Sequence, residues 1–177
     1  PHHALEVDDT LSLSLKGIEK SGFAMSNPSQ LKRISDNKFL KSIIHHHEHE
    51  HEENVDYLYK TLVDTQASAN YLYQKSKVHK TKVKYPQGAF GNDLKQIAEL
   101  MTADADIKIY YANLGGFDTH VGQKNKQARL LKTYSDGMSA FVKDLKSNGL
   151  LDDTLMMTFS EFGRRVQQNA SGGTDHG

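Results

Sequence analysis

Three short polar segments, at 115–120, 160–165 and 173–177, contain the residues of this 177-residue chain that could do chemistry. Their sequences are GGFDTH, SEFGRR and GTDHG. The first two directly follow apolar runs rich in β-forming residues, which are predicted strands. Open α/β sheets bind ligands in loops beyond the carboxyl ends of parallel strands, so carboxylates and imidazoles in such loops indicate a metal centre.

The first and third segments each carry one aspartate and one histidine. Asp118 and His120 are two residues apart, so in a loop both can face one ion and offer it an oxygen and a nitrogen, as zinc or manganese accept. The alternative is a turn aspartate beside a surface histidine, since this spacing is short and common. Asp175 and His176, flanked by glycines, are either ligands of a metal pair or part of a flexible turn.

The second segment combines a carboxylate with two guanidinium groups. Glu161 follows an apolar run, where a carboxylate is costly to bury unless a cation or hydrogen-bond donors surround it. It is therefore either a metal ligand or an ion-pair partner of Arg164 or Arg165. A guanidinium near a metal also suits phosphate or sulfate oxygens. Ser160 lacks the flanking glycines of a nucleophile elbow, which argues against a serine hydrolase.

Composition narrows the classes of partner and ligand. Lys+Arg 22 against Asp+Glu 22 leaves no net charge, so the chain has no basic footprint for nucleic acid. The absence of cysteine excludes disulfides and thiolate ligands, so a metal would need nitrogen and oxygen ligands. No apolar run approaches the roughly 20 residues of a membrane span. The chain reads as an internal piece of a larger domain, with any export signal upstream.

The polar segments must be positioned by the elements around them. The pattern predicts a strand at 107–114, a helix whose apolar stripe ends at Asn148-Gly149, and a buried strand at 154–159. Together these form a right-handed βαβ core unit over 107–161, which places Asp118 and Glu161 at the same edge of a mostly parallel sheet.

The preceding residues are predicted to be mainly helical. Alternation at 11–15 indicates a half-buried strand. Asn27-Pro28 is a helix start, 35–37 interrupts the helix, and apolar spacing then predicts a long helix or helical pair up to about Lys75. A short amphipathic helix follows from Phe90 to Met101. The region 28–78 is thus a helical insertion in a single α/β domain spanning 1–177.

A histidine-rich tract from His45 to Glu53 has histidines four residues apart, which on a helix is chelating geometry. A solvated helix face with His to Glu contacts is the favoured interpretation. The alternative is that this tract is a metal buffer, in which case deleting 45–53 would abolish all metal binding.

These motifs resemble those of the DUF1501 family, which is placed within the alkaline phosphatase and sulfatase-like superfamily. The resemblance is carried, in order, by GFDTH at 116–120, TFSEFGR at 158–164, QN at 168–169 and GTDH at 173–176. It extends to LEVDDT at 5–10 and YLYKTL at 57–62, as in bacterial members. It covers the middle of a family member.

The resemblance implies a fold and a set of site residues. The fold would be part of a three-layer α/β/α sandwich like that of alkaline phosphatase, in a periplasmic or exported protein. A divalent metal, zinc or manganese, would be bound by five residues: Asp118, His120, Glu161, Asp175 and His176. The substrate would be bound by Arg164, Arg165 and Asn169.

The implied activity is hydrolysis of a phosphate or sulfate ester, on a small molecule or a glycan. The metal would stabilise the oxyanion and activate a nucleophile from outside this chain, so the fragment alone is expected to be inactive. The alternative is a noncatalytic module that binds a ligand or a partner protein, with Glu161 paired to Arg164. Convergence of the predicted ligand atoms on one point would favour the metal enzyme, and dispersal would favour the module.

Overall fold

The computed structural model describes residues 3–17, 22–45 and 53–177 of the chain. The described strands are β1 (Ala4–Glu6), β2 (Phe23–Ala24) and β3 (Ile109–Tyr111), with a 3₁₀ helix at Leu13–Leu15. The described helices are α1 (Pro28–Ser35), α2 (Lys38–His45), α3 (Glu53–Val78), α4 (Ala89–Thr102) and α5 (Gln123–Ser147).

The three strands form one parallel sheet in the order β2-β1-β3. Leu5 lies in the central strand, opposite Phe23 on one side and Tyr110 on the other, and is almost fully buried. Parallel pairing of β1 and β3 requires a long connection, and the helices α1 to α4 supply it. The chain is therefore an α/β protein with a small parallel sheet.

The predicted strand at 11–15 is wrong. The chain instead turns through the 3₁₀ helix, and Leu13 points into solvent with 83% of its surface exposed. The turn is held by the buried Glu6 carboxylate, which accepts hydrogen bonds from the N–H of Ser12 at 2.6 Å and from its hydroxyl at 2.5 Å. Glu6 thus accepts from both the backbone N–H and the hydroxyl of Ser12, which offers this segment an alternative to strand pairing. The alternation of apolar and polar residues at 11–15 therefore does not mark a strand.

The predicted helix start at Pro28 is confirmed, and its cause is visible in the structure. The side-chain oxygen of Asn27 accepts hydrogen bonds from the N–H groups of Ser29 and Gln30, and Pro28 occupies the first turn. The predicted interruption at 35–37 is also confirmed, since α1 ends at Ser35 and α2 begins at Lys38. The central part of the histidine-rich tract, 46–52, lies outside the described residues.

The chain divides into two compact units. The first comprises 1–80 and 99–112, and the second comprises 81–98 and 113–177. The first unit is built on a buried apolar cluster contributed by β1, α3, the end of α4 and the residues that follow β2 and α4: Leu5, Leu72, Leu100, Met25 and Ala105. Burial in this unit also raises the pKa of Tyr110. The predicted single domain, with its insertion at 28–78, stays a prediction.

The second unit is built around α5. Phe141 and Leu145 are buried on its inner face, and Gly137 lies against the Phe90 ring. The buried Asp144 accepts a hydrogen bond from the Tyr85 hydroxyl at 2.9 Å. The helix ends at the predicted Asn148-Gly149 stop, where Gly149 has a φ of +70° that favours glycine.

The predicted buried strand at 154–159 is wrong. These residues are neither helix nor strand, and Leu155, Met157 and Phe159 are 94%, 80% and 60% exposed. The Thr158 hydroxyl is hydrogen-bonded to that of Tyr134 on α5 at 2.8 Å. An apolar run forms a strand only if a neighbouring strand is present to pair with it. None of the three strands in the described sheet pairs with 154–159.

Among the described residues, no helix combines the length and the apolar character needed to cross a membrane.

Candidate metal centre

The first polar segment lies in the loop between β3 and α5. Two of its glycines, Gly116 and Gly122, have φ values of +95° and +56°, in the left-handed region that side chains rarely adopt. These turns allow the loop to reverse before α5 begins at Gln123. Between them, Asp118 and His120 are exposed and Thr119 is buried.

The third polar segment folds back onto both of the others. Residues around His176 pair antiparallel with those around Arg164, and the Gly177 N–H donates to the Gly163 carbonyl at 3.1 Å. Residues 171–172, just before the third segment, pair with the residues just after the first segment: the N–H groups of Gly122 and Gln123 donate to the carbonyls of Ser171 at 3.0 Å and Gly172 at 2.9 Å. All three polar segments therefore meet in the second unit.

Gly173 permits the closest approach between the first and third segments. This residue is buried, and a Cβ placed on it would lie 2.2 Å from the carbonyl carbon and oxygen of His120. Since real Cβ atoms do not come this near to backbone, only glycine fits here without a shift of the loop. The close packing at Gly173, the first glycine of the GTDHG motif, thus allows His176 to lie beside Asp118.

Asp118, His120 and His176 form a cluster whose candidate ligand atoms all lie within 4.8 Å of one another. The Nε2 atoms of His120 and His176 are each 2.9 Å from the same oxygen of Asp118, Oδ1. All three side chains are exposed. One carboxylate oxygen and two imidazole nitrogens are a donor set that fits zinc or manganese, and the exposed side leaves room for a further ligand.

The Asp118 carboxylate is held in its ionised form by the donors around it. The hydrogen bond from His176 is the largest cause, and the charge of His120 and a 3.0 Å bond from Arg164 Nη2 add to it. Together they hold the pKa of Asp118 below its ordinary value of 3.8. An ionised carboxylate is the form that binds a cation.

Asp175 contacts the cluster through His120, at the ring nitrogen that does not face Asp118. Its Oδ1 lies 3.2 Å from His120 Nδ1 and accepts a hydrogen bond from the side-chain amide of Asn169, also at 3.2 Å. The bond from Asn169, followed by the one from His120, lowers the pKa of Asp175 below its ordinary value. Asp175 is not among the three residues whose ligand atoms converge.

Phe162 is a site residue that the sequence reasoning missed. Its ring stacks on the His176 imidazole, with centroids 4.1 Å apart and planes 19° from parallel. The Arg164 guanidinium lies over the same ring, 5.2 Å from its centroid. The only available signal was an aromatic residue between the glutamate and the arginine of the second segment. The stack fixes the orientation of the His176 ring.

The predicted substrate-binding arginines differ in environment. Arg164 donates to the carbonyl oxygens of Thr174 and Phe117 as well as to Asp118, so its guanidinium is held within the site. Arg165 is exposed, and its backbone N–H donates to the Asp175 carbonyl at 3.0 Å. Their binding of a substrate stays a prediction.

Glu161 is exposed and is not part of the converging cluster. The expectation that it would share a sheet edge with Asp118 rested on a strand at 154–159, which the described structure lacks. Of the five predicted ligands, the structure brings together three, places Asp175 against one of them, and leaves Glu161 apart.

The fold and this cluster define the chain as an α/β protein with an exposed Asp-His-His group of metal-ligating type. Residues 18–177 match the model of the family described as "Protein of unknown function (DUF1501)", and the chain belongs to that family. No curated protein and no solved structure shows significant similarity to the chain.

Proposed function

We propose that this protein is a metal-dependent hydrolase of phosphate or sulfate esters. Its metal would be zinc or manganese, bound by Asp118, His120 and His176. The observation that carries the proposal is the meeting of two imidazole Nε2 atoms at one oxygen of Asp118, each at 2.9 Å. Such convergence from segments 58 residues apart is what a metal-binding site requires and what a random surface aspartate lacks.

The cluster has the composition of a catalytic rather than a structural metal site. Structural zinc sites are usually closed by four protein ligands, whereas catalytic sites keep a position open for water or substrate. Three exposed protein ligands suit the second type. A divalent ion bound there would supply Lewis acidity toward an ester oxygen and lower the pKa of a bound water.

The residues around the cluster would bind the substrate. Arg165 is exposed, whereas the Arg164 guanidinium is held by loop carbonyls, and a guanidinium matches the paired oxygens of phosphate or sulfate. Arg164 would act mainly by fixing Asp118, through the 3.0 Å bond between them. The ester would belong to a small molecule or a glycan, and the nucleophile would come from outside the three polar segments.

The same proposal includes the wider setting of the protein. The three-stranded parallel sheet would be part of a three-layer sandwich of the alkaline phosphatase type. The parent protein would be bacterial and periplasmic or exported. Both statements rest on the resemblance of the three polar segments to that superfamily.

A noncatalytic binding module is the second candidate function. It is favoured by the exposed apolar side chains of Leu155, Met157 and Phe159, which resemble a surface for a partner protein. The sequence predicts for this module an ion pair between Arg164 and Glu161, whereas the structure pairs Arg164 with Asp118.

Metal binding is tested by titrating the protein with Zn²⁺ and with Mn²⁺ in a calorimeter. We expect one tight site, weakened more than about 100-fold in Asp118→Asn, which exceeds the 10–100-fold typical of losing an outer-shell partner. Asp153→Asn, at an exposed aspartate that is not part of the cluster, is the matched control. No binding, or equal binding by both variants, would contradict the metal site.

Hydrolysis is tested on the full-length, metal-loaded protein with a panel of phosphate and sulfate esters. We expect turnover of at least one ester and its loss in Asp118→Asn. Stoichiometric metal binding with no turnover of any ester would favour the binding module instead.

A further inference from the structure

The two histidines of the cluster are oriented by different partners. His176 is stacked on Phe162, whereas His120 has an acceptor at each ring nitrogen. Its Nε2 is 2.9 Å from Asp118 Oδ1, and its Nδ1 is 3.2 Å from Asp175 Oδ1. An imidazole that binds a metal through one nitrogen normally donates the N–H of the other to a carboxylate or carbonyl.

Asp175 is itself held in place by Asn169. The Asn169 amide donates to Asp175 Oδ1 at 3.2 Å and to the His120 carbonyl at 3.0 Å. Its oxygen accepts from the N–H groups of Ser171 and Gly173, both at 3.0 Å. An amide side chain has two donor hydrogens and two acceptor lone pairs, so these four bonds use its whole capacity. Asn169 therefore has nothing left to offer a substrate.

We propose that Asp175 is a positioning residue for His120 rather than a metal ligand, and that Asn169 braces it. Asp175 accepts the Nδ1–H of His120, which fixes the ring orientation and leaves Nε2 as the nitrogen that would bind a metal ion held by Asp118. Asn169 fixes the Asp175 carboxylate and the His120 backbone at the same time. This inference rests on the proposed metal site, and it replaces the expectations that Asp175 ligates the metal and that Asn169 binds the substrate.

The charge and geometry of this arrangement agree with the assignment. Asp175 lies on the far side of the His120 ring from Asp118, because each of the two ring nitrogens faces a different carboxylate. A carboxylate on the Nδ1 side cannot share an ion with Nε2 of the same ring. Its effect on an ion must therefore pass through His120, as greater basicity and a fixed ring orientation.

The test uses Asp175→Ala, which removes the acceptor, Asp175→Asn, which keeps a neutral one, and Asp153→Ala as the control. We expect Asp175→Ala to weaken Zn²⁺ binding 10–100-fold, as is typical of an outer-shell partner, and Asp175→Asn to weaken it less. X-ray absorption of the zinc-loaded variants should show the same number of protein ligands as the wild type. A lost oxygen ligand in Asp175→Ala would overturn the inference in favour of direct ligation.

A second measurement is independent of the metal. Proton and nitrogen NMR of the His120 ring in the metal-free protein should show a slowly exchanging Nδ1–H in the wild type, where Asp175 accepts it, and a faster-exchanging one in Asp175→Ala. If the alanine variant fails to fold, Asp175→Asn serves the same measurement. An unchanged exchange rate of the Nδ1–H and an unchanged zinc affinity in Asp175→Ala would refute the inference, whereas absence of zinc binding by the wild type would refute only the proposed function.

Discussion

At the scale of single residues, Asp118 is the side chain on which the site depends. Its Oδ1 atom meets His120, His176 and Arg164, each within 3.0 Å. The three contacting residues come from the three different polar segments, so the ionised carboxylate also holds these segments together. The acid that would bind a cation thus already has a structural role.

This role makes the pKa of Asp118 a measurable consequence of the site. We expect the pKa of the Asp118 carboxyl to lie below 3.8 in the metal-free protein. In His176→Ala the pKa should rise toward 3.8, because the hydrogen bond from His176 is the largest cause of the lowered pKa. A lowered pKa stabilises the fold above the unfolded-state value, and the contribution disappears as pH falls below 3.8 through the folded-state value. Carbon NMR of the side-chain carboxyl measures the pKa of Asp118 in the wild type and in His176→Ala.

Asp36 is the internal control for that titration. Its pKa is also lowered, by Lys32 first and Lys41 second, and it lies in the first unit. It should titrate identically in the wild type and in His176→Ala. If the pKa of Asp118 is the same in the wild type and in His176→Ala, the hydrogen bond between Asp118 and His176 does not form in solution.

The family resemblance grouped Asp118, His120 and His176 with Glu161 and Asp175, and neither residue types nor spacing distinguished the three residues whose ligand atoms converge from the other two. Adjacent residues in extended backbone direct their side chains to opposite faces. The backbone around His176 is paired in this way with that around Arg164. Asp175 and His176 therefore meet different atoms of the cluster. Sequence gives their adjacency, whereas only the pairing shows which side each one faces.

At the scale of elements, helices were easier to predict than strands. Helix signals are local: the Asn27 cap, and the Asn148-Gly149 stop, act within a turn of the residues they affect. β1 and β2, at three and two residues, are too short to show a periodicity, and both were missed. The apolar segment 154–159 showed the opposite error, since strand formation depends on a partner that the segment itself does not encode.

The loop that carries the GTDHG motif has one position where a single methyl group should disturb the site. In Gly173→Ala the new Cβ would meet the His120 backbone at 2.2 Å, so the two loops must separate. We expect a loss of about 1–3 kcal/mol in the free energy of unfolding, as for overpacked interiors, together with weaker Zn²⁺ binding. Chemical denaturation and calorimetry measure the two effects.

Gly163→Ala is the matched control for that substitution. Gly163 lies in the second polar segment, has no atom within 4 Å of its would-be Cβ, and has a backbone that does not require glycine. Its substitution should change the zinc affinity little. Equal effects of the two alanines would mean that the close approach of Gly173 to His120 does not position the site.

At the scale of the whole molecule, the site belongs to one compact unit, although its ligands are far apart along the chain. Asp118 and His176 are separated by 58 residues, and all of α5 lies between them. Both belong to the unit formed by 81–98 and 113–177. A metal bound to both would therefore oppose unfolding of this unit, because the unfolded chain does not hold the two residues together.

Zinc should accordingly raise the melting temperature. At free metal 100 times above Kd, binding to the native state alone adds about 2.7 kcal/mol, which corresponds to roughly 5–10 °C for a chain of this size. The five histidines between 45 and 51 would reduce this shift if they bind zinc in the unfolded chain. Replacing them with glutamine should therefore preserve or enlarge the shift, whereas Asp118→Asn should remove it. If the glutamine variant instead loses the shift and Asp118→Asn keeps it, the zinc is bound by the histidine-rich tract and not by the Asp-His-His cluster.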